Sequence, residues 1–440
     1  MRPPVFLNHA VTNLKLILRA LRHRNYRLYA AGQIVSLTGT WMQQIAMGWL
    51  VYRLTDSALL LGLVGFASQV PALLLMSVAG VLADRWDCRR ILLVTQTLAM
   101  LQAATVAALA LTGLIQVWHV IGLAVFLGAV NAFDMPTRHT FLVQIVEDRE
   151  DLPSGIALHS SIFNGARLVG PSIAGLIVAA WGEGACFLLN AVSYLGVLAA
   201  LVAMRLPPRE TEETHPSVLA GLADGVQYVL RTRPIKAVLL LIAAISFVGL
   251  PYAVLMPVFA RDVLRGGAQT FGFLVASSAA GSILGAIYVA SRRNALGLER
   301  VIPVGLTAFA LAVIGFSASR ALWLSMPMLV CSGCGMMVLF ASSNTLIQTI
   351  VDDARRGRVM SLYTLSFVGT GPFGALLAGG LAERLGAPTT AAIFGVACLG
   401  AVGLYLLRLP SLSAALRPIH AELGLAPELT DPAGGPGGSE

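Results

Sequence analysis

Twelve apolar runs, each near the ~20 residues that an α-helix needs to cross a bilayer, follow one another along this 440-residue chain. They fall at about 27–51, 58–82, 91–112, 117–138, 155–180, 185–204, 236–260, 270–291, 301–318, 322–346, 358–382 and 388–408, separated by short charged or Gly/Pro-marked breaks. In hydrocarbon every backbone N–H and C=O must be satisfied within the protein, and a helix does this with its own residues. Composition removes the water-soluble alternative. The chain is 57% hydrophobic and 12% charged, against about a quarter charged in ordinary soluble domains. The predicted fold is an all-α membrane protein with twelve transmembrane helices, the lipid bilayer being part of its solvent.

The basic residues orient these runs. Of 30 Lys and Arg, 24 fall in segments on the side of the N-terminus, and Arg53, Arg261, Arg265, Arg320 and Arg384 fall on the other. The positive-inside bias predicts both termini in the cytoplasm, and it accounts for a net charge of +8 without nucleic acid. Segment 1–24 reads as an amphipathic helix on the inner membrane surface, with Leu14, Ile17, Leu18 and Leu21 opposed to Lys15, Arg19 and Arg22. No cleavable signal peptide is evident. The largest break, 205–234, reads as a cytoplasmic linker with an amphipathic helix from Ser217 to Arg231, joining an N-terminal six-helix half (25–204) to a C-terminal one (235–409). The remainder, 410–440, reads as a cytoplasmic tail, Pro/Gly-rich and disordered toward its end. Cys331 and Cys334 form a C-x-x-C inside an apolar run beside Gly333 and Gly335, a setting for helix packing rather than redox chemistry or zinc. No metal or cofactor is expected. With no P-loop, H-E-x-x-H or G-x-S-x-G, no machinery for an ATP-driven pump or a hydrolase is visible, and the chain is not read as an enzyme.

The two halves echo each other. Phe141-Leu142-Val143-Gln144-Ile145-Val146-Glu147-Asp148 precedes the fifth run and Thr345-Leu346-Ile347-Gln348-Thr349-Ile350-Val351-Asp352 the eleventh. Gly170-Pro171 then answers Gly371-Pro372 across a three-residue gap, and Leu61-Gly62-Leu63 answers Phe271-Gly272-Phe273. The expectation is two pseudo-symmetric six-helix halves related by an axis along the membrane normal, with a central site at their interface.

Between the second and third runs the chain reads Gly80-Val81-Leu82-Ala83-Asp84-Arg85-Trp86-Asp87-Cys88-Arg89-Arg90. Asp84 is suited to the positive end of a neighbouring helix, and Arg85, Arg89 and Arg90 to carboxylates across a gap between helices; an ordinary positive-inside anchor is the plainer reading. This segment resembles the loop 2–3 signature of the major facilitator superfamily, and the twelve-run repeat extends the resemblance over nearly the whole chain. The resemblance implies alternating access, with Asp84 facing the start of the eleventh helix near Gly357-Arg358, and a motif arginine pairing with Asp134 at the inner end of the fourth. Ala157, Ala166, Gly170, Pro171, Ala174 and Gly175 resemble the Gly/Pro motif of the superfamily's exporters and antiporters, with alanine replacing glycine at three places. Packing is an equal reading for Gly170, Pro171, Gly175, Gly371 and Pro372. The stretches Asn131–Arg138, Asn164–Pro171 and Phe187–Tyr194 are similar to the enterobactin-exporter and macrolide-efflux branch. That resemblance implies export of a small-molecule substrate, siderophore or drug-like, from the bacterial cytoplasmic (inner) membrane, with a proton as the coupling ion.

Polar groups inside spans are costly and point to function. Arg167 is the foremost, near the middle of the fifth run, lining a cavity or serving as a hydrogen-bond hub for Asn164 and backbone carbonyls. Gln43, Gln44, Gln69, Asn190, Tyr194 and Asn344 are further candidates, each also readable as an inter-helix hydrogen bond, and Trp41, Tyr252, Phe340 and Tyr363 could line a site. A proton antiporter needs a titratable group exposed to both sides in turn. Of the acids only Asp134 reads as lying within a run, and Ala124 stands where the superfamily's proton-linked motif has arginine. An importer or uncoupled facilitator, and more remotely a non-transporting sensor, are the alternatives. The chain is read as a monomer.

Overall fold

The computed structural model describes residues 19–146, 148–205, 218–292 and 296–422, and every element among them is helical. The first six long helices are α1 (Arg24–Thr55), α2 (Ala58–Arg85), α3 (Cys88–Leu111), α4 (Val117–Ile145), α5 (Leu152–Trp181) and α6 (Glu183–Ala203). A short α7 (Val218–Arg231) leads to α8 (Arg233–Val263), α9 (Ala268–Ala290), α10 (Leu298–Ala318), α11 (Leu322–Ile350), α12 (Asp353–Leu385) and α13 (Ala387–Glu422). Eleven of these are long and apolar enough to cross a membrane. The twelfth, α1, is more polar because Gln33 and Gln43 are buried against neighbouring helices rather than facing lipid. The predicted amphipathic segment at 1–24 lies mostly outside the described residues, as do 206–217 of the linker and 423–440 of the tail.

Three boundaries differ from the sequence expectation in ways that matter. Helix α4 continues seven residues beyond 138 to Ile145, because Pro136 is absorbed within the helix rather than ending it. Asp134 therefore stands eleven residues inside α4, about 16 Å from its end at ~1.5 Å per residue, and not at the inner end. Helix α8 passes Pro251 and Pro257, which lack an N–H, by switching to a 3₁₀ turn over Leu250–Leu255 and a π turn over Phe259–Val263. Arg261 and Asp262 thus sit in the last turn of a spanning helix, and Asp134 is not the only acid within a span. Helix α13 runs to Glu422, so the segment after 409 begins as helix.

The internal repeat is present in a register other than the one Gly-Pro suggests. Asp148 and Asp352 differ by 204, and the same offset relates Gly175 to Gly379 and Gly182 to Gly386. Gly182 (φ 79°) and Gly386 (φ 83°) end α5 and α12 in the positive-φ region where glycine is favoured. Their N–H groups donate to Val178 and Ala382 carbonyls, again 204 apart. No gap is needed, so Pro171 corresponds to Ala375 and Gly371 to Arg167; the Gly-Pro echo lies almost one turn out of register.

That register places two matched close approaches between the halves. A Cβ on Gly62 (α2) would meet Gly379 Cα (α12) at 3.1 Å, and one on Gly272 (α9) would meet Gly175 Cα (α5) at 3.2 Å. Gly62 and Gly272 are each the fifth residue of their helix, and Gly175 and Gly379 each lie six residues before the end of theirs. Both crossings therefore sit near the face opposite the N-terminus, called here the distal face. Glycine lets the backbones touch, as small residues do wherever apolar attraction between helices is weak.

Candidate functional site: the interface between the halves

Helical periodicity identifies the residues that line the interface below these crossings. On α5, Pro171 and Gly175 face α9, so Arg167 and Asn164, one and two turns back, continue the same face. On α1, Gly48 packs on Phe271 and Pro257 of the second half, which places Gln44 and Trp41 on the continuing face. On α2 the same logic brings Phe66 and Gln69, and the Phe66 ring meets Phe373 of α12 edge-on at 5.5 Å. Going toward the N-terminal face, Gln69, Ser160, Ser161, Thr345, Gln348 and Thr364 are exposed. These polar side chains are exposed on the side of the N-terminal face, whereas the distal ends of the halves are in close contact at the glycine crossings.

The Arg167 guanidinium lies 5.7 Å from the Trp41 ring centroid, whose edge meets Phe163 at 5.7 Å. It is half-buried, and among the described residues it has no hydrogen bond or ion pair. The hub reading is not seen: Asn164 Nδ2 donates to Ser160 O at 2.9 Å instead. Gln44 is exposed, while Gln69 Nε2 reaches Gly65 O at 3.3 Å.

Other predicted residues fall elsewhere. Gln43 is buried in a chain of amides within the first half: it donates to Gln102 Oε1 at 2.9 Å and accepts from Asn190 Nδ2 at 2.6 Å. Tyr194, also buried, belongs to the same layer. These groups tie α1, α3 and α6 together, because unpaired amides in a dry bundle are costly. Asn344 accepts from Gln348 on its own helix. Gly170 packs on the Trp41 side chain and Thr38 O, and Gly175 on α9. Gly371, a packing candidate, and Gly80 of the charged-loop motif have nothing within 4 Å of a Cβ position; on α12 the close contact belongs to Gly374, against Phe247 O. Pro372 is buried.

The charged loop is also arranged differently. Asp84 and Arg85 belong to the last turn of α2, and their side chains lie outside the described residues. The acid at a helix N-terminus is Asp87, which accepts from Arg89 N at 2.8 Å and caps α3. Arg89 Nη2 donates to Val202 O at 2.8 Å, and Arg90 lies 3.7 Å from Asp87, so neither bridges the gap between halves. Arg358, expected opposite Asp84, pairs with Asp224 of α7, fastening the linker helix to α12. Asp134 is buried; it accepts from Thr95 Oγ1 at 2.8 Å and Gln96 Nε2 at 2.6 Å and is paired with Arg138, whose Nη1 donates to Gln33 Oε1 at 2.6 Å. The partner is one turn along the same helix. All of these partners of the carboxylate belong to the first half. A lateral cavity of about 700 Å³ between α3 and α4, lined by Trp86, Arg90, Val94 and Phe126, lies apart from Arg167.

One cluster was not anticipated. The turn joining α1 to α2 is clasped by the second half: Tyr52 Oη donates to Asp262, Arg261 pairs with Asp56, and Glu383 Oε2 accepts from Ser57 Oγ and Leu59 N, both at 3.1 Å. Asp56 holds φ at 49°, a conformation Asp tolerates better than most residues. The sequence signal was a set of charges on the otherwise poorly charged side of the chain. Exposed pairs of this kind contribute roughly 0.2–1 kcal/mol each. Arg261→Ala is therefore expected to favour distal opening by only about 1.4- to fivefold, read as faster thiol labelling of a cysteine placed at Leu59. An unchanged rate would show that the pair does not hold the face shut.

This arrangement, two six-helix halves meeting at matched glycine crossings, defines a membrane transporter of the major facilitator fold. Solved structures share it: the nucleoside transporter NupG (TM-score 0.67, 13% identity, covering 87% of this chain and 98% of that one) and a bacterial homologue of the human lysosomal transporter Spinster in an inward-facing, occupied conformation (0.67, 15%, 90% and 97%). The model of the transmembrane secretion effector family matches residues 17–431, and the chain belongs to that family. Its relatives include the Staphyloferrin A transporter of Staphylococcus aureus, 27% identical over 383 residues (85% of this chain, 93% of the relative). The multidrug efflux pump Tap of Mycolicibacterium fortuitum is 28% identical (89% and 97%), and macrolide efflux protein A of Streptococcus pyogenes 23% (81% and 89%).

Proposed function

We propose that this protein is an exporter of the bacterial cytoplasmic membrane, with both termini in the cytoplasm, that moves a small amphipathic molecule outward by alternating access and proton antiport. The observation that carries this reading is the asymmetry of the interface: closed at the distal face by the two glycine crossings and the Tyr52–Leu59 clasp, polar and exposed toward the N-terminal face. With the N-terminal face in the cytoplasm, as the distribution of basic residues favours, this is the state that loads from inside. Relatives named as efflux pumps support the outward direction. The units proposed to rock are residues 25–204 and 235–409, acting within one chain, with 205–234 as the connection.

The test is efflux from loaded proteoliposomes, with a fluorescent dye, a macrolide and a catecholate siderophore, with and without an imposed pH gradient. Gradient-dependent efflux of at least one compound is the expected result. Efflux indifferent to the gradient would replace antiport by facilitated diffusion. That second reading draws on one observation: the carboxylate buried deepest in α4, Asp134, is already paired.

A further inference from the structure

Arg167 is a charged side chain on the α5 face that continues from Pro171 and Gly175 into the interface. It stands 15 residues after Leu152 and 14 before Trp181, at the middle of α5. A cation at that depth is ordinarily matched by an acid or by backbone carbonyls; here the neighbour is the Trp41 ring, which in turn meets Phe163. In the other half, the buried Tyr252 of α8 has its hydroxyl engaged with Ser332 Oγ at 2.9 Å. The repeat sharpens the point. The residue of α12 related to Arg167 by the 204 offset is Gly371, around which nothing lies within 4 Å of a Cβ position. One half thus presents a cation with an aromatic wall, and the other a bare surface and space.

We propose that Arg167 and Trp41 form the binding site for an organic anion with an apolar or aromatic body, the anionic group on the guanidinium and the body against Trp41 and the adjoining Phe163. A guanidinium offers two parallel N–H donors to a carboxylate or catecholate and stacks on aromatic faces. Its cation–π contact with Trp41 keeps it oriented while empty. A cationic ligand of the same shape would meet repulsion without a nearby acid to offset it. The inference rests on the transport reading above for its setting, and it narrows the substrate class of that interface to anions.

The experiment compares two tricyclic dyes, anionic fluorescein and cationic rhodamine, on the full chain in nanodiscs and in proteoliposomes. Binding is read first, by fluorescence anisotropy. Fluorescein is expected to bind at least about tenfold more tightly than rhodamine. Arg167→Gln is expected to remove that preference, and Arg167→Lys, which keeps the charge but loses the planar fork, to retain part of it. Equal binding of the two dyes by the unmodified protein would overturn the anion site, as would fluorescein binding untouched in Arg167→Gln, or no fluorescein binding at all. Efflux separates the two readings. Fluorescein that binds at Arg167 while no compound is transported leaves the site standing and removes the exporter; rhodamine transported in preference to fluorescein does the reverse. Partial rescue by Arg167→Lys distinguishes loss of the charge from loss of folding.

Discussion

Gly272→Leu is expected to cut transport at least about tenfold while leaving a folded bundle. A Cβ at this position would press on Pro171 O and Gly175 Cα, both backbone or nearly so, and neither can rotate away. Inserting side-chain volume into such a contact costs about 1–3 kcal/mol. Applied to one conformation of a two-state protein, that cost moves the equilibrium by about 5- to 150-fold. Because the crossing is made only where the distal ends of α5 and α9 meet, the cost falls on the state closed at that face. The measurements are dye efflux, thermal unfolding in detergent, and thiol labelling of a distal cysteine. Labelling should accelerate, efflux should fall by at least about tenfold, and the unfolding midpoint should move little. Gly122→Leu is the control: on α4 nothing lies within 4 Å of its Cβ position. Full efflux by Gly272→Leu would mean that the crossing is not a working contact of the cycle. Gly62→Leu, its counterpart at α2 and α12, is expected to behave alike.

Arg138→Ala carries the largest expected loss of stability. Asp134 would remain buried with Thr95 and Gln96 as donors but without its counter-charge, and Gln33 Oε1 would lose its donor. Breaking a buried pair by removing one partner costs about 3–5 kcal/mol, whereas replacing both partners by apolar residues of similar volume is often neutral. Arg138→Met with Asp134→Leu is therefore expected to recover much of what Arg138→Ala loses, read as thermal unfolding and as yield of monodisperse protein. If the double variant retains efflux, the pair is structural. If it is stable but inactive, Asp134 takes part in the cycle by a rearrangement absent from this conformation.

Much of the fold was legible in order along the chain because the bilayer imposes length and polarity on each helix separately. The twelve spans, the linker helix and the repeat could all be read from local runs. Boundaries were missed near proline: Pro136 lies inside α4, which continues past it, and α8 passes Pro251 and Pro257 through 3₁₀ and π turns. The Gly-Pro echo misled because two short words were matched without the geometry that separates a packing glycine from an open one. Gly182 and Gly386, with their positive φ, mark the register more reliably.

The candidate site divided along the same line. A polar residue in an apolar run announces itself, so Arg167, Gln43 and Asn190 could be singled out from sequence. Whether such a residue faces a partner or an opening depends on helices far away in the chain. Gln43 and Asn190 found each other across 147 positions, while Arg167 found an aromatic wall and no acid. The clasp of Tyr52, Asp56 and Ser57 by Arg261, Asp262 and Glu383 joins segments more than 200 positions apart, and no local pattern foretells it.

The sequence by itself determined that this is a twelve-helix membrane protein of two repeated halves, because hydrocarbon tests each segment for length, polarity and charge as the chain presents it. Only the tertiary structure decided which carboxylates are paired, which glycines touch and which face is shut. Those properties belong to pairs of surfaces, and their energies depend on distances between helices that no single segment contains.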